Sequence, residues 1–369
     1  MNLLYNNDVI LLLGAGASAE AEIPFTAEMI EDLEKSLEAE DGWKEFKKLY
    51  DFIKEQKHLL NKDKPLNIEE LVNIIDELSL LIKKEHPLTI INLSWVSFME
   101  KLGYTTTLLE DFKKQISDKL KEWIFIEDKM KPVYYNDIAK FQIQYNSEFR
   151  IFTLNYDKCV EDYCHTVKNT DREINEGKDF NLIIERGFGN EQQSDDQKLW
   201  DYKKFIQEGL GIQIYLYKMH GSIDWERNKD NKTERRNNIN KIKNFDIIFG
   251  TQQKVKAYDP YLFFLYEFRE RSLQSKVICI SGYGFGDDHI NKILTQAFDN
   301  GTNRPLLLVN TFSHNEEDGR NFVSEKLKIN EKDRIKIIQS KASYFFKNNL
   351  QIDFLKKLYY GDTEDILPF

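Results

Sequence analysis

Apolar and polar positions along this chain alternate between two patterns. Short continuous apolar runs bounded by glycine or polar residues read as strands buried on both faces. The first is "DVILLL" at residues 8–13, and "RIFTLN" at 150–155 follows. "GIQIYLYKMHGS" at 211–222 reads as a strand ending in a loop, and "FDIIFG" at 245–250 as another strand. "KVICIS", "RPLLLVNT" and "RIKIIQS" complete the set. Between them lie segments of helical period: "DKCVEDYCHTV", "PYLFFLYEFRERSLQ", the stretch after "GYGFGDD", and a single closing helix in "ASYFFKNNLQIDFLKKLYYG".

Residues 40–145 differ. "WKEFKKLYDFIKE" and "IEELVNIIDELSLLIKK" place apolar residues at i, i+3, i+4 and i+7, the spacing of an amphipathic helix. Pro65 and Pro87 punctuate this region, and Pro24 suits the first turn of a helix over about 25–39. Strand alternating with helix predicts an α/β fold with a doubly wound, mostly parallel, Rossmann-like sheet. Residues 1–39 and 146–369 would form that core, with 40–145 as a large helical insertion. The chain carries no internal repeat.

Composition narrows the chemistry. At 369 residues with 41% hydrophobic content, the chain can bury a substantial core. Its formal net charge of -10 argues against strong non-specific nucleic-acid binding, which depends on neutralising phosphates. Three cysteines, Cys159, Cys164 and Cys279, make neither a paired framework nor a four-thiolate zinc site. No apolar run is long enough for a membrane span and no signal peptide is seen, so a reducing cytoplasmic setting is expected. The one basic stretch, residues 227–244, holds seven Lys/Arg against two Asp/Glu. It reads first as a solvated, mobile loop and second as a contact for an anionic ligand.

Ligands in open α/β sheets bind beyond the carboxyl ends of the strands. The first run ends in Gly14-Ala15-Gly16-Ala17-Ser18-Ala19, the G-x-G-x-x-A spacing of a dinucleotide loop. The second ends in Thr153-Leu154-Asn155-Tyr156-Asp157, and the third in His220-Gly221-Ser222-Ile223-Asp224-Trp225. Later ends supply Gly282, Gly284, Phe285 and Asp287 within "GYGFGDD", and then Asn310. A hydride-transfer dehydrogenase would need a second strand about 20 residues on, ending in an acid for the ribose. That region is helical here, and Glu34 lies inside the helical pattern.

In this order the pieces resemble the sirtuin family. Gly14 to Ser18 match its G-A-G-x-S loop, Ile23-Pro24 its G-I-P segment, "TLNYD" its T-Q-N-x-D loop, and "HGS" its histidine-glycine step. "GYGFGDD" and Asn310 match the loops facing the adenosine half of NAD. The resemblance covers about half the chain. It departs from the deacylases in lacking paired zinc cysteines, in Phe25-Thr26-Ala27 standing for D-F-R, and in Leu154 standing for Gln. It is therefore most similar to the sirtuin-like domains of bacterial anti-phage systems, which degrade NAD.

That resemblance implies NAD+ as substrate and no metal in the chain. The pyrophosphate would lie on the N–H groups of residues 14–18, with Ser18 as a hydroxyl donor. Asn155 would orient the ribose or the water, His220 would act as general base, and Asp157 would bind the nicotinamide amide. Thr153, Gly282, Gly284, Phe285, Asp287 and Asn310 would complete the binding surface. Expected products are nicotinamide and ADP-ribose, linear or cyclic. Alternatives are an NAD-dependent protein deacylase and a non-catalytic scaffold binding NAD or ADP-ribose. Such an NADase needs gating, and its relatives of this size imply a homo-oligomer paired with a HerA-like DNA translocase ATPase.

Overall fold

The computed structural model describes residues 4, 7–60, 62, 65–83, 85, 93–126, 128–167, 180–189, 197–206, 213–242, 245–248, 258–301 and 303–361. Pro87, read above as punctuation of the helical region, and residues 211–212 and 249–250, read as parts of strands, lie outside the described residues.

The described strands are β1 (Val9–Leu13), β2 (Phe149–Thr153), β3 (Thr166–Val167), β4 (Phe180–Asn181), β5 (Ile184–Glu185), β6 (Gln197–Leu199), β7 (Ile214–Lys218), β8 (Gly221–Arg227), β9 (Thr233–Arg236), β10 (Phe245–Ile247), β11 (Val277–Ser281), β12 (Leu306–Thr311) and β13 (Ile335–Gln339). Seven of them form one parallel sheet in the order β13-β12-β11-β1-β2-β7-β5. From β1 the chain builds outward on one side to β2 and β7. It then returns to lay β11, β12 and β13 on the other. The strand order thus reverses at β1, the place where α/β sheets open a ligand crevice.

Both faces of this sheet are covered, so its strands read as unbroken apolar runs. Val9, Leu11, Leu13, Ile151, Leu216, Cys279 and Leu308 share one core face with Ile138, Phe141, Phe345 and Phe346. The intervening Ile10, Leu12, Phe152, Ile278, Ile280 and Leu307 are equally buried on the other side. There Phe268 packs edge-on against Phe152 at 5.0 Å. Each fully buried Leu or Ile contributes about 1.5–3 kcal/mol. The sheet is therefore a rigid platform for whatever its carboxyl ends carry.

The helices are α1 (Thr26–Ala39), α2 (Lys44–Leu60), α3 (Ile68–Ile82), α4 (Leu93–Leu102), α5 (Thr106–Ile124), α6 (Asn136–Tyr145), α7 (Cys159–Tyr163), α8 (Tyr261–Gln274), α9 (Asp288–Asn300), α10 (Glu316–Leu327), α11 (Ala342–Asn348) and α12 (Ile352–Tyr360). The chain divides into two compact units. One comprises Met1–Ile23, Ile126–Ile247 and Lys256–Phe369 and contains the sheet. The other comprises Pro24–Phe125 and Ile248–Val255. Within the second, Phe46 stacks on Phe112 at 4.5 Å and Trp43 meets both rings edge-on. Asn67 and Thr105 cap α3 and α5 by accepting from the backbone N–H of Glu70 and Leu108.

Four local expectations need correction. The stretch 211–222, read as one strand ending in a loop, gives β7 and then the start of a second strand, β8 from Gly221, and β10 joins a separate antiparallel sheet, β10-β8-β9-β6. Gly221 allows the reversal. It sits at φ +86, and a Cβ there would lie 2.3 Å from Asp246 O. The basic stretch is not a solvated loop throughout. It contains β9, Arg227 stacks on Tyr258 at 3.8 Å and pairs with Asp246, and Arg236 pairs with Glu226. The closing helix is two helices, α11 and α12, because the chain turns at Asn349 to bury Leu350 fully. Finally, Gly14 leads into a short 3-10 helix at Ala15–Ala21, which ends at Glu22 in the left-handed region.

Candidate active site

The strand ends bring the two glycine loops together. Gly14 N donates to Ser281 O at 3.0 Å, and Gly16 N donates to Gly282 O at 2.9 Å. Ala17 N donates to Gly14 O at 2.9 Å. Three amides of the 14–18 loop are therefore engaged within the protein and do not face outward as phosphate donors. A Cβ on Gly14 would lie 2.7 Å from Gly282 O, and one on Gly282 would lie 1.9 Å from Ala17 N. The glycines serve this close approach first. Ala15 and Gly284 are exposed, and a Cβ on Gly284 would meet nothing within 4 Å. At these two positions a ligand can reach the backbone.

Behind the first loop lies a buried polar network. Ser18 Oγ donates to Asp157 Oδ2 at 2.7 Å, and Asn155 Nδ2 donates to Ser18 Oγ at 3.1 Å. Tyr135 Oη lies 2.8 Å from the same serine oxygen. A serine has one hydrogen, and here the carboxylate takes it, so Tyr135 is the donor in that contact. Burial, reinforced by the nearby Cys159 and Asp157, pushes the Tyr135 phenol well above its usual range and keeps it protonated. Asp157 Oδ1 accepts from Cys159 N at 2.9 Å. Ser18 and Asp157 are thus spent on each other and on the loop, and the geometry makes them frame residues rather than direct ligands.

Asn155 is placed differently. Its second amide hydrogen goes to Gly14 O at 3.0 Å, which fixes the orientation of the amide because a carbonyl only accepts. Thr153 Oγ1 accepts from Asn155 N at 3.1 Å. Asn155 Oδ1 accepts no hydrogen bond among the described residues and is the atom left to act on a ligand.

The third strand end, β7, carries Met219-His220. Met219 N extends the ladder to Thr153 O at 2.9 Å. His220 Nε2 lies 3.1 Å from Asp287 Oδ2, and both side chains are buried. The other carboxylate oxygen of Asp287 accepts from His289 N at 2.9 Å and caps α9. Asp287 thus orients the imidazole instead of projecting to a dinucleotide. Phe285 is buried with φ +53, a left-handed conformation uncommon for a bulky residue. Asn310 is also committed: Oδ1 accepts from Ser281 Oγ at 2.8 Å and Nδ2 donates to Ser340 O at 2.8 Å. It ties β11 to the end of β13.

Sequence reasoning missed the supports. Tyr134 donates to Ala17 O at 2.6 Å, and with Tyr135 it floors the glycine loop from a segment read as helical insertion. Lys218, directly before Met219-His220, is buried with its ammonium on Asp157 O and on Glu161. Arg186 grips Asp224 with two parallel bonds of 3.0 Å and also meets Glu161 at 2.9 Å. Burial works to raise the Asp224 carboxyl, but the Arg186 guanidinium overrides it and holds the group well below the usual carboxylate range. No local period signals these partners. A charged residue inside an apolar run, as at Lys218 in "IYLYK", is the one cue available.

All three cysteines are buried, and burial raises each thiol. Among the described residues no cluster of His, Cys, Asp and Glu could hold a metal ion. No helix among them is long and apolar enough to cross a membrane.

Comparison with known proteins matches residues 150–338 to a family described as SIR2-like domain. The matched span carries Asn155, His220 and the second glycine loop, and it leaves out Gly14 to Ser18. No curated protein matches. Two solved structures resemble the chain distantly. One, from work on the mechanism and regulation of Sir2 enzymes, is 12% identical with a TM-score of 0.41, over 95% of this chain and 93% of that one. The other, a Sir2 homologue in complex with NAD, is 11% identical with a TM-score of 0.35, over 95% and 90%.

Proposed function

This chain belongs to the SIR2-like domain family, and on that premise we propose that it is an NAD+ glycohydrolase. The reaction is cleavage of the nicotinamide–ribose bond by water, giving nicotinamide, ADP-ribose and a proton. The observation that carries the reading is the pair of differently prepared groups at adjacent strand ends. Asn155 presents Oδ1, which accepts no hydrogen bond among the described residues, on an amide whose Nδ2 donates to Gly14 O and Ser18 Oγ, and His220 is held by Asp287.

The residues fit a dinucleotide at the crevice where the strand order reverses. Backbone is open at Ala15 and Gly284, and the two glycine loops meet beneath. Asn155 Oδ1 would accept from a ribose hydroxyl or from the attacking water. His220 would take the proton from that water, with Asp287 holding the ring and stabilising the imidazolium. Gly282, Phe285 and Thr153 would shape the pocket wall from the strand ends. Asn310, Ser18 and Asp157 would act through the groups they fix.

The sequence motifs support placing this enzyme as an effector of anti-phage defence, gated by self-assembly and by a HerA-like ATPase partner. Protein deacylation is the rival activity. The sequence favours hydrolysis over it, since three cysteines are too few for the two cysteine pairs of a deacylase zinc module.

The test is NAD+ turnover followed by chromatography, with and without the ATPase partner, beside Asn155→Ala and His220→Ala. Nicotinamide plus ADP-ribose, lost in both variants, is the expected result. Nicotinamide release only in the presence of an acetyl-lysine peptide would replace the reading with deacylation. Binding of NAD+ without turnover under every condition would leave a scaffold.

A further inference from the structure

We propose that Asn291 is a positioning residue which, with Tyr283, holds Asp287 and through it the ring of His220; this rests on the hydrolase reading for its kinetic consequence but not for its geometry. Asn291 lies in the first turn of α9 and is buried. Its amide is used at both ends. Nδ2 donates to Phe285 O at 2.9 Å, and Oδ1 accepts from Tyr283 Oη at 2.9 Å. Tyr283 Oη in turn accepts from Asp287 N at 3.2 Å.

Two side chains therefore hold the backbone of a single turn at two residues, Phe285 through its carbonyl and Asp287 through its N–H. The turn needs it. Its flanks Gly284 and Gly286 are exposed and touch nothing that a Cβ would meet within 4 Å, so neither packs the loop in place. Phe285 holds an uncommon left-handed conformation at φ +53, which costs on the order of 1–3 kcal/mol and persists only where neighbours over-determine it. The Asn291 bond to Phe285 O and the packing of Phe285 against Tyr283, at 4.8 Å between rings, supply that determination. Burial, with Asp287 nearby, raises the Tyr283 phenol, so it stays protonated, its one hydrogen shared between Asn291 Oδ1 at 2.9 Å and Asp287 O at 3.1 Å.

Asp287 ends this turn. Its carboxylate divides between the helix cap, at His289 N, and His220 Nε2. A small rotation of the turn would preserve the cap, which travels with the helix, and lose the contact to His220, which stands on β8's approach from another strand. A backbone error of about 1 Å at a supporting group costs on the order of 100-fold in rate without changing the reacting groups themselves.

The experiment uses the full chain with Asn291→Leu, which is close in size and removes both hydrogen bonds, and Tyr283→Phe, which removes one hydroxyl. Each is measured for thermal unfolding, for kcat and KM with NAD+, and for the side-chain 15N signals of His220 in the ligand-free protein. Both variants should lower kcat by about 10- to 100-fold with KM changed less than about threefold. The His220 ring signals should move as the tautomer loses its fixed partner. Unchanged ring signals in a folded Asn291→Leu or Tyr283→Phe protein would overturn the proposal. If wild-type protein cleaves no NAD+, the hydrolase reading fails, while the ring signals still decide whether Asn291 positions His220. If Asn291→Leu does not fold, Tyr283→Phe decides.

Discussion

Gly282 and Ala17 are in backbone contact: a Cβ on Gly282 would stand 1.9 Å from the Ala17 nitrogen, and Gly282 itself sits at φ +67. The two loops after β1 and β11 are thus built as one object. Gly282→Ala adds both a steric overlap that backbone cannot relieve and a left-handed penalty. Together these amount to about 2–5 kcal/mol. Gly284→Ala, in open space at the same loop, should stay within about 0.5 kcal/mol of wild type. Urea unfolding of the two variants checks this, and equal midpoints would show that the loops do not meet as described.

Asn155 and Ser18 can be separated by what each leaves behind. Asn155→Ala removes the free acceptor and takes one of two donors from Gly14 O, which keeps Ala17 N, so NAD+ cleavage should fall by roughly 100-fold or more. Ser18→Ala keeps the Asn155 amide bonded to Gly14 but takes the Ser18 donor from Asp157 Oδ2, leaving Oδ1 on Cys159 N, which costs stability by about 1–3 kcal/mol. Its activity should fall less than that of Asn155→Ala, with a lower melting temperature. Turnover lost equally in both, at unchanged stability, would put Ser18 at the substrate after all.

The strands were legible because a sheet covered on both faces demands apolar residues at every position. "VILLL", "VICIS" and "LLLVN" are short, rich in β-branched or aliphatic residues and bounded by glycine or polar residues, which favours a buried strand over a helix. Asn155 and His220 were legible because polar residues directly after such runs mark the carboxyl edge. What each polar group does there was not legible. Ser18 and Asp157 are 139 positions apart and bond to each other, and Tyr135 reaches Ser18 across 117 positions. No periodicity encodes such pairs. Strand β8 was missed for a related reason: "HGSIDWER" mixes buried charge with apolar residues, since Asp224 is neutralised by Arg186 from β5's end of the sheet. The glycine loop kept its expected place and changed its first purpose, from facing a phosphate to facing a second loop.

The cysteines give a prediction independent of activity. Cys159, Cys164 and Cys279 are fully buried, and burial raises each thiol far from thiolate. Thiolate is the reactive form, so the native protein at pH 8 should show no rapid reaction with a thiol reagent. In denaturant all three should react. Fast labelling of any cysteine in folded protein would show that its core neighbourhood opens, with Cys159, beside Asp157, the informative case for the site.

The Arg186–Asp224 pair should set part of the acid stability. The folded Asp224 carboxyl is held well below its unfolded value, which is about 3.9. A group depressed in this way contributes fully above the unfolded value and loses its contribution as pH falls toward the folded one. At pH 7, Asp224→Asn should destabilise the protein by about 3 kcal/mol, the lower end for breaking a buried pair, since Arg186 keeps Glu161 at 2.9 Å. Below about pH 4 the unfolded wild-type chain takes up a proton at Asp224, and the variant has no such group. The gap between the two proteins should therefore narrow by about 1 kcal/mol between pH 4 and 3, approaching about 1.4 kcal/mol per pH unit only well below the unfolded value. Paired urea titrations at pH 7, 4 and 3 measure it. A gap that stays constant to pH 3 would mean that Asp224 titrates alike in both states, and the bidentate pair would then carry no electrostatic stabilisation.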